Sequence, residues 1–165
     1  MLEVRLAALR VDLPTNTPVV LLQEVAGERS LPIYIGAPEA TAIAYALERV
    51  AVPRPMTHDL MKELVDAFGA TVERIVVTEI REGTFFAVVH LQAGERKVEI
   101  SARPSDAIAL AARTDSPIYV EDDLMEIAGV VIEEEPEVAV EENPEELVGQ
   151  FRDFLNQIRP EDFSG

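Results

Sequence analysis

The sequence predicts an α+β protein: duplicated β-β-β-α units forming an antiparallel or mixed sheet packed with helices, followed by a C-terminal amphipathic helix. Three observations carry this expectation. Short β-rich runs follow one another at hairpin spacing. Each set of runs ends in an alanine-rich helical stretch. Residues 4–46 and 71–113 also align without a gap at an offset of 67 residues. In that alignment Ala26-Gly27-Glu28-Arg29 matches Ala93-Gly94-Glu95-Arg96, Thr17 faces Thr84 and Ile33 faces Ile100. Ala40, Ala42 and Ala44 face Ala107, Ala109 and Ala111. Nine of the forty-three positions are identical, and the apolar positions keep step throughout, which favours an internal duplication over chance.

Each unit reads in the same order. A first strand (residues 4–13; 72–80) runs into a turn, Pro14-Thr15-Asn16-Thr17 in one case and Arg81-Glu82-Gly83-Thr84 in the other. A β-rich second strand follows (19–25; 85–92), then the Ala-Gly-Glu-Arg hairpin and a third strand (30–35; 97–102). A short proline-containing link opens the alanine-rich helix (39–49; 106–113). Two successive hairpins require antiparallel pairing. Between the units, Leu60, Met61, Leu64, Val65 and Phe68 fall at helical spacing, with Thr57 as expected N-cap and Gly69 as stop. After the second unit, residues 117–120 read as a short strand, and Asp122-Asp123-Leu124-Met125-Glu126 opens a short helix. Leu147, Phe151, Phe154, Leu155 and Ile158 then mark one face of a last helix that Pro160 stops. Residues 1–133 are thus expected to form the duplicated domain, and residues 134–165 an acidic linker and helix.

Composition narrows the function classes. With 31 acidic and 14 basic residues the chain carries a net charge of −17. Residues 133–165 hold eleven acids against two arginines, a net of −9; residues 1–132 hold twenty acids and twelve bases, a net of −8. An extended basic groove for nucleic acid is excluded. The acidic end repels phosphates and suits a basic protein partner. The chain has no cysteine, so disulfides, thiolate metal sites and thiol nucleophiles are ruled out. No apolar run is long enough to cross a bilayer, and the start lacks a signal-peptide pattern, so a cytoplasmic location is the expectation.

Chemistry gathers at three helix starts: Gly36-Ala37-Pro38-Glu39, Arg54-Pro55-Met56-Thr57-His58-Asp59 and Arg103-Pro104-Ser105-Asp106. Taken singly, each is what a helix start needs. Ser105 and Thr57 suit the cap, and Glu39, Asp59 and Asp106 suit the helix dipole. Taken together they form a possible site. Glu39 and Asp106 hold matching places in the two units, so a pseudo-two-fold axis brings them near one another. With His58 and Asp59 they supply the donors a hard divalent cation such as Mg²⁺ or Mn²⁺ takes. Such an ion activates water and steadies phosphoryl oxygens. Arg54 and Arg103 are suited to hold a phosphate bidentately, beside the hydroxyls of Thr57 and Ser105. No nucleophile elbow or phosphate-binding glycine loop is present.

The ordered set Leu31-Pro32-Ile33-Tyr34-Ile35-Gly36, Glu39-Ala40, Pro53-Arg54-Pro55-Met56-Thr57-His58-Asp59-Leu60, Glu82-Gly83-Thr84-Phe85, Arg103-Pro104-Ser105-Asp106-Ala107 and Pro117-Ile118-Tyr119-Val120 resembles the bifunctional nuclease domain family over residues 1–133. The resemblance implies a cytoplasmic bacterial protein with duplicated halves, commonly dimeric. It also implies a nuclease acting on DNA and RNA. Many members carry Asp where this chain has Ser101. Two readings therefore stand. One is a metal-dependent nuclease with His58, Asp59, Asp106 and Glu39 as catalytic groups. Of these, Glu39, Asp59 and Asp106 would be metal ligands, and Arg54, Arg103, Ser105 and Thr57 would bind substrate. The other is a non-enzymatic ligand- or protein-binding regulatory module.

Overall fold

The computed structural model describes residues 1–132. The expected C-terminal helix lies outside them. The strands are β1 (Leu2–Asp12), β2 (Thr17–Glu24), β3 (Arg29–Tyr34), β4 (Ala70–Arg81), β5 (Thr84–Ala93), β6 (Arg96–Ala102), β7 (Ile118–Val120) and β8 (Val130–Val131). The helices are α1 (Ala37–Leu47), α2 (Thr57–Ala67), α3 (Pro104–Thr114) and α4 (Asp122–Ala128). All eight strands join one mixed sheet in the order β6-β5-β4-β7-β1-β2-β3-β8. The β4–β7 pair is parallel and the rest are antiparallel. The α+β class is therefore correct. Each half is a three-stranded antiparallel meander followed by a helix, and short β7 joins the two meanders at the centre.

Turn chemistry sets the hairpins. Glu82 and Gly83 take φ of 50° and 75°, the left-handed pair of a two-residue turn that matches strand twist. Gly94, at φ 61°, opens the second tight turn, where Ala93 pairs with Arg96. The first Ala-Gly-Glu-Arg copy behaves differently. There β2 ends at Glu24 and β3 begins at Arg29, so four residues span the gap. Val20 consequently pairs with Ile33 while Val89 pairs with Ile100. The third strands keep the offset of 67, but the second strands are displaced by two residues, so the gap-free alignment fails there. The cause is local. Glu24 turns back to accept hydrogen bonds from Arg29 Nε and Nη2 at 3.0 and 2.6 Å, which closes a wider turn.

One face of the sheet carries the core. Val20, Leu22, Leu31, Ile33, Ile75, Val77, Ala87 and Val89 point to it and pack with Ala40, Ile43, Ala107, Ile108, Leu110, Leu124 and Met125 from the helices. Directly paired strand residues share a face, so the pattern of alternate burial follows from register. The small side chains of Ala107, Ala109 and Ala111, all 2% exposed or less, let α3 lie close to the sheet and to its helical neighbours. Strand β8 was not foreseen, because two valines carry no readable period. No helix among the described residues is long and apolar enough to cross a membrane.

Leu31 is fully buried and Leu13 is 85% exposed. Leu31→Ala is expected to cost about 2–5 kcal/mol in urea unfolding, and Leu13→Ala less than about 0.5 kcal/mol. Equal costs would contradict the placement of the core.

Candidate functional site

The three carboxylates share one local position. Glu39, Asp59 and Asp106 each sit three residues after the N-cap of α1, α2 and α3, where the caps are Gly36, Met56 and Arg103. Thr57 and Ser105 are therefore not the caps; each lies within the first turn. Prolines explain part of the shift. Pro38 and Pro104 sit at the start of α1 and α3, where a missing N–H costs nothing, and both helices begin two residues earlier than expected. In α2 the Asp59 carboxylate reaches back to the Met56 N–H at 2.9 Å, closing the turn without Thr57.

A continuous chain of contacts joins the helix starts. Arg103 donates from Nε to Asp106 Oδ2 at 2.7 Å and from Nη2 to Asp106 Oδ1 at 3.1 Å. The same Nη2 donates to Glu39 Oε1 at 2.8 Å. Asp106 Oδ1 also lies 2.9 Å from His58 Nε2. Thus Glu39 of α1, Arg103 and Asp106 of α3, and His58 of α2 form one polar line. The matched pair Glu39 and Asp106 does converge, and a guanidinium lies between the two carboxylates. His58 is buried beneath this line, with its side chain 8% exposed, whereas that of Arg103 is 66% exposed. The Arg103 Nη1 group donates to no acceptor among the described residues, so the outer edge of the guanidinium faces solvent.

Asp59 turns the other way. Its Oδ1 accepts from Arg113 Nε at 2.6 Å, and Arg113 Nη1 donates to the Ala109 carbonyl at 2.9 Å. Arg113 was not singled out in the sequence. Its signal was available, however: it lies seven residues, two turns, after Asp106, on the same side of α3. His58 and Asp59 are neighbours, so the start of α2 grips α3 at two points two turns apart. Arg54 is exposed with no ion pair among the described residues. Thr57 is exposed and Ser105 is buried. Ser101 pairs with Val88, next to the Ala87–Ala102 pair that faces the helices, so it projects from the opposite side of the sheet.

Electrostatics follow the contacts. The Arg113 guanidinium holds the Asp59 carboxyl below its ordinary value; burial opposes this, and the Met56 N–H assists. For Asp106 the largest single influence is burial, which raises the value. The Arg103 and His58 hydrogen bonds together outweigh it, and the carboxyl stays below the ordinary range. Arg103 is pushed up, by Asp106 first and by Glu39 after a smaller opposing effect of burial.

Among the described residues no three His, Asp or Glu side chains close around one point as a metal cage. Two carboxylate oxygens, from Glu39 and Asp106, do converge on a single cationic atom, Arg103 Nη2. Magnesium is commonly held by one or two carboxylates with waters and substrate phosphates completing its shell. Arg103 Nη2 fills that point of convergence, so an ion would bind through carboxylate lone pairs that the guanidinium leaves free. Asp59, committed to Arg113, is not one of these two carboxylates.

Residues 20–133 match the family described as the bifunctional nuclease domain. An uncharacterized protein of Mycobacterium tuberculosis is 43% identical over 98% of this chain and 97% of its own length. Bifunctional nuclease 2 of Arabidopsis thaliana is 31% identical over 66% of this chain and 35% of its own. Bifunctional nuclease 1 of Oryza sativa subsp. japonica is 28% identical over 70% and 36%. The chain spans about a third of the length of these plant relatives.

The carboxylate shifts set a pH dependence. A group with a depressed folded pKa contributes stability that is complete above its unfolded value and disappears as pH falls through the folded one. For Asp59 and Asp106 that window lies below the ordinary value of 3.8. The wild-type urea midpoint is therefore expected to fall more steeply from about pH 4 to about pH 2 than that of Asp59→Asn, which lacks one of the titrating groups. Parallel profiles would show that the Arg113 contact does not hold Asp59 ionised.

Proposed function

Because the chain belongs to the bifunctional nuclease domain family, we propose that it is a nuclease hydrolysing phosphodiester bonds of DNA and RNA in the cytoplasm, at the junction of α1, α2 and α3. The observation that carries this reading is the Arg103 guanidinium. Two carboxylates fix it from behind and its outer edge is open. A preorganised arginine in that setting meets a phosphate oxygen without losing rotamer freedom. Arg54, on the exposed segment before α2, offers a second cation, and Thr57 an exposed hydroxyl. Ser105 is buried and acts on the packing of α3 rather than on substrate.

Asp106 orients the His58 imidazole through Nε2, as a carboxylate fixes the tautomer and ring plane of a general base. A divalent cation, Mg²⁺ or Mn²⁺, would share with Arg103 the lone pairs of Glu39 and Asp106 rather than take its place, and would supply Lewis-acid stabilisation of phosphoryl oxygens. Asp59 serves this machinery indirectly, since its ion pair with Arg113 anchors the start of α2 that presents His58. Such a site contacts few phosphates, in keeping with the net charge of −8 on residues 1–132.

The charge also favours a second reading, a non-enzymatic binding module. The net of −9 on residues 133–165 suits a basic protein partner better than a polyanion. Cleavage by the pure protein separates the two readings. Single-stranded DNA and RNA are expected to be cut in the presence of Mg²⁺ or Mn²⁺, with loss on chelation. Arg103→Ala is expected to reduce kcat/KM by about 10²-fold or more and also to lower the unfolding midpoint, because Glu39 and Asp106 are left facing one another. Cleavage that survives both chelation and Arg103→Ala would refute the assignment.

A further inference from the structure

The two duplicated helix starts are alike in backbone and opposite in side chain. Gly36 and Arg103 hold matching places at the offset of 67 and cap α1 and α3. Gly36 takes φ −73° and ψ 155°, and Arg103 takes φ −69° and ψ 142°. Both pairs of angles lie in the extended region that any residue adopts. Glycine is therefore not needed at position 36 for conformational freedom. Alanine in such a conformation ordinarily stabilises a protein, because it restricts the unfolded chain.

What position 36 lacks is room. A Cβ there would overlap Glu39 Oε2 and stand 3.3 Å from Glu39 Cδ. The end of a free carboxylate swings clear of such a clash at small cost. This one is tied: Glu39 Oε1 accepts from Arg103 Nη2 at 2.8 Å, and the Glu39 side chain is 16% exposed. In α3 the acid is one methylene shorter, and Asp106 accepts from Arg103 Nε beside a cap that carries a full side chain. We propose that Gly36 is a positioning residue: its missing side chain is the space in which the Glu39 carboxylate stands while it holds Arg103. The two caps are then complementary. One supplies the guanidinium, and the other supplies room for the second carboxylate that fixes it. Gly36 acts only through Glu39.

The same device recurs at the opposite end of β3. A Cβ on Gly27 would overlap Glu24 Oε2, while Glu24 Oε1 accepts from Arg29. Gly94, its counterpart in the second unit, is of the other kind: its φ is 61°, and a Cβ there would meet no atom of the described residues within 4 Å. The two copies of Ala-Gly-Glu-Arg thus use glycine for different reasons, and Gly27 supplies a control outside the junction of α1 and α3.

The test reads Arg103 directly in the ¹⁵N-labelled full chain. The backbone at position 36 suits alanine, so Gly36→Ala is expected to fold and to shift the Arg103 Nε and Nη resonances as Glu39→Ala does. Added to Glu39→Ala, Gly36→Ala should move them no further. Gly27→Ala should leave them in place. In cleavage assays Gly36→Ala is expected to lower kcat/KM by about tenfold or more, an arm that rests on the nuclease reading. A wild type that does not cleave would refute that reading, and the resonances would still decide the role of Gly36. Arg103 resonances unmoved by Gly36→Ala, moved equally by Gly27→Ala, or moved as far by Gly36→Ala without the Glu39 carboxylate as with it would each overturn the proposal.

Discussion

The interaction on which the rest of the site depends is the Arg103 guanidinium between Glu39 and Asp106. The fold brings together helix starts from both halves of the chain, each with a carboxylate at its third position. A carboxylate there is favourable for its own helix. Two of them facing one another across α1 and α3 are not, because like charges in a half-buried setting repel. Arg103, supplied by the cap of α3 itself, removes the conflict by donating to both. Its own charge is then fixed in place while its remaining donors face outward. The ion pair that makes the packing possible thus leaves a positive edge on an acidic protein.

Around this centre α2, the helix between the two units, supplies a lock. The start of α2 grips α3 through His58 to Asp106 and through Asp59 to Arg113. The His58 and Arg113 side chains are both 8% exposed. Removing one partner of such a pair leaves a polar or charged group without compensation, which is costlier than the net worth of the pair. The polar groups at the helix starts are therefore of two kinds. The Asp59–Arg113 pair holds α2 in register, whereas Arg103, held by Glu39 and Asp106 and 66% exposed, is open to a ligand.

Much of the fold was legible because it rests on local rules. Glu82-Gly83 and Gly94 specify tight turns by backbone conformation alone, and alanine spacing marks the close-packed helices. The equivalence of Glu39 and Asp106 followed from the duplication, and it placed the two carboxylates near each other correctly. What was not legible depends on partners remote in sequence. Nothing near Asp59 reveals that Arg113, 54 residues away, takes its carboxylate; the one signal is the two-turn spacing of Arg113 from Asp106 on α3. Nor does the sequence show that Arg103 faces its own carboxylates as well as solvent. The two-residue displacement between the second strands escaped notice because Ala-Gly-Glu-Arg is identical in both copies, yet Glu24 captures Arg29 in one of them only. The caps were misplaced because Ser and Thr are strong cap formers in isolation, while proline and Asp59 set the actual starts.

The most direct test of the central claim observes Arg103 itself. Side-chain ¹⁵N resonances of the arginines can be followed while a phosphorothioate oligonucleotide, resistant to cleavage, is added to the full chain. If Arg103 is the carboxylate-held phosphate contact, its guanidinium resonances shift with the ligand while those of Arg113 stay still, and Glu39→Gln weakens the binding. Resonances of Arg103 that remain unmoved while the oligonucleotide binds elsewhere would contradict the account.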